Sequence, residues 1–157
     1  MKKRKAYELT YNEELTVFRF TSEGPKGKIK KVIEFSPYEE TIWNLGFGDE
    51  KEGDWDDSIV SDNDDLRKVI QTVANAAHHF TEKYPERRIF INPVDERRKL
   101  LYNRLFKEKF EEILLFFNLE GVDLSAFKIY QYEPSRIYDA FVLSRKKSIF
   151  ETQTSEK

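Results

Sequence analysis

SDNDDLRKVIQTVANAAHHF, residues 61–80, is where the chain changes its period. Leu66, Val69, Ile70, Val73, Ala74, Ala77 and Phe80 recur at three- and four-residue spacing, which predicts a helix of about five turns. Upstream the spacing is two. TIWNLGF (41–47) puts Thr41, Trp43, Leu45 and Phe47 on one face, and KIKKVIEF (28–35) does the same with Ile29, Ile33 and Phe35, interrupted by Lys31. LTVFRFTS (15–22) is rich in β-branched and aromatic residues. Gly24, Pro25 and Gly27 break the first two runs apart, and Ser36, Pro37 and Tyr38 the next two. Three strands joined by short turns predict an antiparallel meander that hands over to a helix at 61–65.

Pro85 ends that helix, and RRIFI (87–91) follows as a short apolar strand. A second helix is expected from Asn92 as N-cap, with Pro93 in the first helical position and Asp95 placed as a capping-box acid. Its apolar face would be Leu101, Leu105, Phe106, Phe110, Ile113, Leu114 and Phe117, with Gly121 just past the end. SAFKIYQYE (125–133) and IYDAFVLSR (137–145), joined near Pro134, read as the last two strands. The expected fold class is α+β, a mixed and mostly antiparallel sheet in the order β-β-β-α-β-α-β-β with two principal helices. One domain is expected over residues 1–157, with an ordered core at about 6–146 and a polar C-terminal tail at 147–157.

Composition narrows the function classes. The chain has no cysteine, which excludes disulfides, thiol catalysis and cysteine metal sites. No apolar run approaches the ~20 residues that span a bilayer. The basic start MKKRK leads into YELTYNEEL rather than an apolar segment, so a soluble, cytoplasmic protein is expected. The net charge of -2 hides a segregation. DEKEGDWDDSIVSDNDD (49–65) has Lys51 as its only basic residue, whereas Lys2, Lys3, Arg4, Lys5, Arg87, Arg88, Arg97, Arg98, Lys99 and Arg104 lie elsewhere. That distribution predicts a dipolar surface and argues against a nucleic-acid partner, which needs a dominantly basic face.

Several constellations invite a chemical role. A helix start that cradles phosphate relies on free N–H groups and close backbone approach through glycine. Residues 61–65 have no glycine and carry Asp62, Asp64 and Asp65, so a helix start capped by Ser61 or Asn63 is expected instead. Asp54, Asp56, Asp57, Asp62 and Asp64 offer oxygen ligands but lack the spacing of a calcium loop, and no metal site is expected. His78 and His79 are adjacent, so on a helix they point about 100° apart and cannot share one metal. Gly24–Lys28 reads as a hairpin turn, and the arginines at 87–104 as a solvated face. Trp55, set among carboxylates, is a candidate interface anchor. The leading expectation is a non-catalytic protein-binding or regulatory module whose unidentified protein partner meets Asp54, Trp55, Asp56 and Asp57. It needs no cofactor and no membrane.

The order of elements over about residues 15–145 resembles the common core of the GNAT acyltransferase superfamily, without the helices that follow its first strand. In DERRKLLYNRLF (95–106), Leu101 and Tyr102 fall on that superfamily's Leu-Tyr pair. Asp95 takes its Asn position and Arg98 its Ala position, while Phe106 and Lys107 stand where Gly-Phe is usual. The resemblance implies an acyl-CoA-dependent N-acyltransferase with acetyl-CoA as cofactor, a degenerate phosphate loop, and Tyr102 as the acid that protonates the departing thiolate. It also implies a splayed gap between RRIFI and a neighbouring strand. FTSEGPKGKIKKVIEF, NLGFGDE, SDNDDLRKVIQTVA and RKLLY are in turn similar to a small, uncharacterised bacterial domain family. That family's Gly-Ser-Thr turn is replaced here by Asn92-Pro93-Val94. The likeness carries no activity with it; small bacterial proteins of this look suggest one half of a toxin–antitoxin-like pair as a third reading.

Overall fold

The computed structural model describes residues 6–51, 54–56 and 63–147, with side chains throughout except at 54–56. The strands are β1 (Thr10–Tyr11), β2 (Val17–Gly24), β3 (Gly27–Glu39), β4 (Ile42–Lys51), β5 (Asp54–Asp56), β6 (Arg88–Ile91), β7 (Phe117–Asp123), β8 (Lys128–Gln131) and β9 (Ala140–Arg145). The helices are α1 (Leu66–Lys83) and α2 (Glu96–Ile113). All strands join one sheet in the order β1-β2-β3-β4-β6-β9-β7-β8, with β5 added to β4. Every pairing is antiparallel except that of β4 with β6, which α1 connects. The α+β class, the mixed, mostly antiparallel sheet and the strand–helix order are those expected, with β1, β5 and β7 as additions.

The alternation in the meander decides which face is covered. Phe18 and Phe20 of β2, Ile33 and Phe35 of β3, and Trp43, Leu45 and Phe47 of β4 point to one side. They meet Val69, Ala76, Ala77 and Phe80 of α1 there, with Phe35 stacked on Phe80 at 4.2 Å between centroids. The same cluster takes in Phe106, Phe110 and Ile113 of α2 over Leu119, Phe141 and Leu143, so both helices lie on one face. A smaller cluster of Phe90, Val122, Ala140 and Val142 marks the other. The β2–β3 turn closes on the Gly24–Gly27 pair, and Gly27 has φ +89°, a conformation only glycine takes cheaply.

Three boundaries differ from expectation. Ser36, Pro37 and Tyr38 do not break the second strand from the third: they lie inside β3, with Ser36 and Pro37 paired to Asn44 and Trp43 and the irregularity taken up as a register shift between Pro37 and Glu39. Asn92 and Pro93 are not the start of α2: Asp95 is its N-cap, its Oδ1 accepting from the Arg98 N–H at 2.8 Å. The helix also stops at Ile113, a full turn early. Phe117, expected on its apolar face, opens strand β7 instead. Gly121 is therefore no helix terminator. It sits inside β7 with the Tyr138 ring against it, where a Cβ would be 2.3 Å from ring carbons. No helix among the described residues is long and apolar enough to cross a membrane.

Candidate functional site

The junction at 63–68 is built as a clasp. Asp65 sits at the N-cap position of α1 but makes no side-chain cap. Its Oδ2 accepts instead from the Tyr7 hydroxyl and from Ser22 Oγ, each at 2.6 Å. Buried Asn63 donates through Nδ2 to Ser22 Oγ (3.1 Å) and to the Gly27 carbonyl (2.9 Å), and its Oδ1 accepts from the Lys26 N–H at 2.7 Å. The hairpin turn is drawn so close that a Cβ on Gly24 would lie 2.0 Å from the Asn63 carbonyl oxygen. Tyr7 also donates its N–H to Thr72 Oγ1 at 2.8 Å, and the Lys68 ammonium lies 4.3 Å over its ring. Burial first, and then the hydrogen bond to Asp65, pushes the Tyr7 phenol above its ordinary value. The self-capping expected of Asn63 is corrected by these contacts; Ser61 lies outside the described residues.

One layer below, Lys31 and Asp49 stand directly opposite each other on β3 and β4, on the face that holds Phe20 and Phe47. Lys31 Nζ is 2.6 Å from Asp49 Oδ1, and both side chains are almost wholly buried. The sequence carried a signal for this pair. Alternation put Lys31 on the Ile29–Ile33 face and Asp49 on the Leu45–Phe47 face, so two opposite charges were bound for one interior.

Beside them the sheet forks. β4 and β6 pair in parallel at Ile42–Arg88, Trp43–Ile89 and Asn44–Phe90, and no further. β3 already occupies the other edge of β4 from Lys31 to Glu39, so β5 must return along the edge that β6 leaves. It does so at Asp49–Asp56, Glu50–Trp55 and Lys51–Asp54. Leu45, Gly46, Phe47 and Gly48 lie between the two pairings. Of the expected partner-binding residues, Asp54, Trp55 and Asp56 are thus the backbone of β5; their side chains, and all of Asp57, lie outside the described residues. Tyr102 is half-buried on α2, packed against the main core cluster.

The remaining candidates separate. His78 packs on Phe116 and Phe117, and burial followed by the nearby Arg145 pulls its imidazole below the usual range. His79 packs on Tyr11 and Phe18. Among the described residues no three acidic or histidine side chains are grouped to hold a metal. Arg87 stacks on Trp43 (4.0 Å) and Tyr84 (3.6 Å), while Arg97 and Arg104 are exposed on α2. An open groove of about 380 Å³ lies at the start of α2, lined by Asn92, Asp95, Glu96, Lys99, Ser125 and Asp139 among others. The Lys99–Asp139 ion pair closes its floor at 2.8 Å. Sequence reasoning missed this pair, because 40 residues separate its members.

A model of the family of unknown function DUF6934 matches residues 3–146. No curated protein and no solved structure matches the chain. The chain belongs to that family.

Proposed function

We propose that this member of the family is a non-catalytic binding module that docks a protein partner on β5, through Asp54, Trp55, Asp56 and the adjoining Asp57. One observation carries the reading: the most acidic part of the chain returns as a strand along β4. Among the described residues β4 is the only strand paired with β5. An extended segment rich in lysine and arginine would add its backbone to such an edge and find carboxylates along it. Trp55 would be the anchor at the centre of that contact. The test is capture of partners by wild type and by the triple variant Asp54→Asn/Asp56→Asn/Asp57→Asn. Partners that require β5 disappear from the variant, and disappear from wild type as salt is raised. Unchanged capture overturns the reading.

A second reading is favoured by the fork. An acyl-CoA-dependent N-acyltransferase of the GNAT kind would place its cofactor in the gap where β6 parts from β4, along Leu45–Gly48, with Tyr102 of α2 as the acid. Asp64 and Asp65 at the start of α1 weigh against it, since negative charge beside a helix start opposes the binding of pyrophosphate there. Thermal unfolding with and without acetyl-CoA separates the two. A ligand at about a hundred times its dissociation constant stabilises by roughly 2.7 kcal/mol, a rise of several degrees. Such a rise, kept by Tyr102→Phe while that variant loses turnover, supports the enzyme; a flat result removes it.

A further inference from the structure

We propose that the corner where α1, the turn between α2 and β7, and the end of β9 meet is an acid-sensitive latch, held shut by the neutral ring of His78 and released when that ring takes a proton. The turn, Leu114–Phe116, leans on short-range bonds: Leu115 and Phe116 donate their N–H groups back to the Glu112 and Ile113 carbonyls at 3.2 and 3.1 Å. Both side chains are exposed. From the α1 side His78 is wedged against it, nearly perpendicular to the Phe116 ring at 5.1 Å and tilted on the Phe117 ring at 4.9 Å. From β9, Lys146 donates its N–H to the Phe116 carbonyl at 2.9 Å and its ammonium to the Leu114 carbonyl. Arg145 closes the corner, bonding the His78 carbonyl at 3.3 Å and Thr81 Oγ1 at 2.9 Å.

The surroundings of the ring favour its neutral form. Its half-buried seat between two aromatic rings takes an imidazolium out of water. Arg145 is fastened to the residue's own carbonyl and to Thr81, so it is not free to swing away from a second cation. The Phe117 ring, which could otherwise attract a cation, already lies 5.8 Å from that guanidinium. Leu114, Leu115, Phe116 and Phe117 bring no ionisable side chain, and Lys109 and Glu112 in the last turn of α2 pair with each other at 3.8 Å. On α1 the opposing charge is Glu82, exposed and one turn beyond His78, with His79 adjacent. Burial and Arg145 outweigh Glu82, so the seated ring titrates below its usual value. A proton is therefore taken up more readily with the ring out of its seat. Turned to water, the ring leaves Arg145 and keeps Glu82 at the favourable i, i+4 spacing. For a base lowered in this way, the closed corner is favoured above about pH 6.5 and loses ground as pH falls below it.

The latch uses none of the residues given to docking on β5 and does not involve Tyr102. Amide hydrogen exchange of the full chain tests it, read as protection factors so that the intrinsic pH dependence of exchange drops out. Between about pH 7.5 and pH 5 the Phe116 and Lys146 amides should lose protection by roughly tenfold, the factor that corresponds to one pH unit between the seated and released titrations. The Phe18 and Phe20 amides, in the β2–β3 ladder, should keep theirs. His78→Phe leaves a ring in the seat without a proton to take, and its protection should be the same at both pH values. His78→Gln, which empties the seat, should be low already at the higher pH and fall no further; it serves as the comparison if His78→Phe does not fold. His79→Phe should respond as wild type does. Wild-type protection that pH leaves unchanged overturns the proposal. So does an acid loss that persists in His78→Phe or His78→Gln, or one spread equally over β2, which would be unfolding of the whole domain.

Discussion

Lys31 and Asp49 face each other across β3 and β4 with Nζ 2.6 Å from Oδ1 and 2% of each side chain exposed. Phe20 flanks the pair on β2, and the Phe47 ring lies 5.7 Å from the ammonium. An ion pair taken out of water in this way loses hydration that its mutual attraction only partly restores.

Removing one partner should therefore be worse than removing both. Asp49→Ala or Lys31→Ala takes the counter-ion at 2.6 Å away from a buried charge and should cost about 3–5 kcal/mol. Lys31→Met combined with Asp49→Leu, which replaces the pair by apolar groups, should recover most of that loss. Urea unfolding midpoints of the three variants decide it. Single substitutions costing under about 1 kcal/mol, the range of surface ion pairs, would show that water reaches the pair.

The clasp at the start of α1 should behave as a unit. Asp65 accepts two hydroxyl hydrogen bonds at 2.6 Å, and bonds to a charged acceptor contribute about 1.5–3 kcal/mol each. Asp65→Ala should cost about 2–3 kcal/mol and Tyr7→Phe about 1–2. The double variant should cost less than the sum by about 1 kcal/mol, the coupling of a shared network. Strict additivity would mean that Tyr7 and Asp65 do not bond in solution.

These contacts also explain which parts of the fold were legible. The β2–β3–β4 meander and α1 were readable because one face of each is buried, so hydrophobic period maps directly onto structure. The end of α2 was not. Leu114, Leu115, Phe116 and Phe117 are consecutive apolar residues that fit a helix face and a strand equally well. What resolves them is tertiary: Phe117, Leu119 and Gly121 must pair with Arg145, Leu143 and Phe141 of β9. β5 was hidden for the opposite reason, since an acidic segment has no apolar alternation to betray a strand. In the junction, the residue types announced a polar role for Asn63 and Asp65. Their partners Tyr7, Ser22 and Lys26 are 37 to 58 residues away and carry no local mark.

Gly121 gives a prediction of packing rather than charge. An alanine Cβ there would come within 2.3 Å of the Tyr138 ring. That ring cannot easily move, because Tyr138 is 2% exposed and the Asn103 side chain holds its N–H and C=O at 2.8 and 2.9 Å. Gly121→Ala should therefore cost about 3 kcal/mol, the upper end for overpacking. Adding Tyr138→Leu should return part of it. A Gly121→Ala protein as stable as wild type would show that β7 can slide away from the ring.

The Lys99–Asp139 pair should leave a signature in the pH dependence of stability. The Lys99 ammonium, followed by the Leu124 N–H, holds the Asp139 carboxyl below its usual value. The same hydrogen bond, outweighing burial, raises Lys99. For a depressed acid the stabilisation is present above the unfolded value, about 3.9, and fades as pH falls through the lower folded value. For a raised base it is present below the unfolded value, about 10.4, and fades as pH rises through the higher folded value. Asp139→Asn removes the charge that both shifts depend on while keeping an acceptor for the Leu124 N–H. The stability gap between wild type and Asp139→Asn should be widest from about pH 5 to pH 9 and close towards both extremes. Urea titrations of both proteins at acid, neutral and alkaline pH measure it. With its side chains about 30% exposed the pair is also partly screened, so the gap at neutral pH should narrow as salt is added. A gap that neither pH nor salt changes would trace the loss to the shape of the groove rather than to the charge on Asp139.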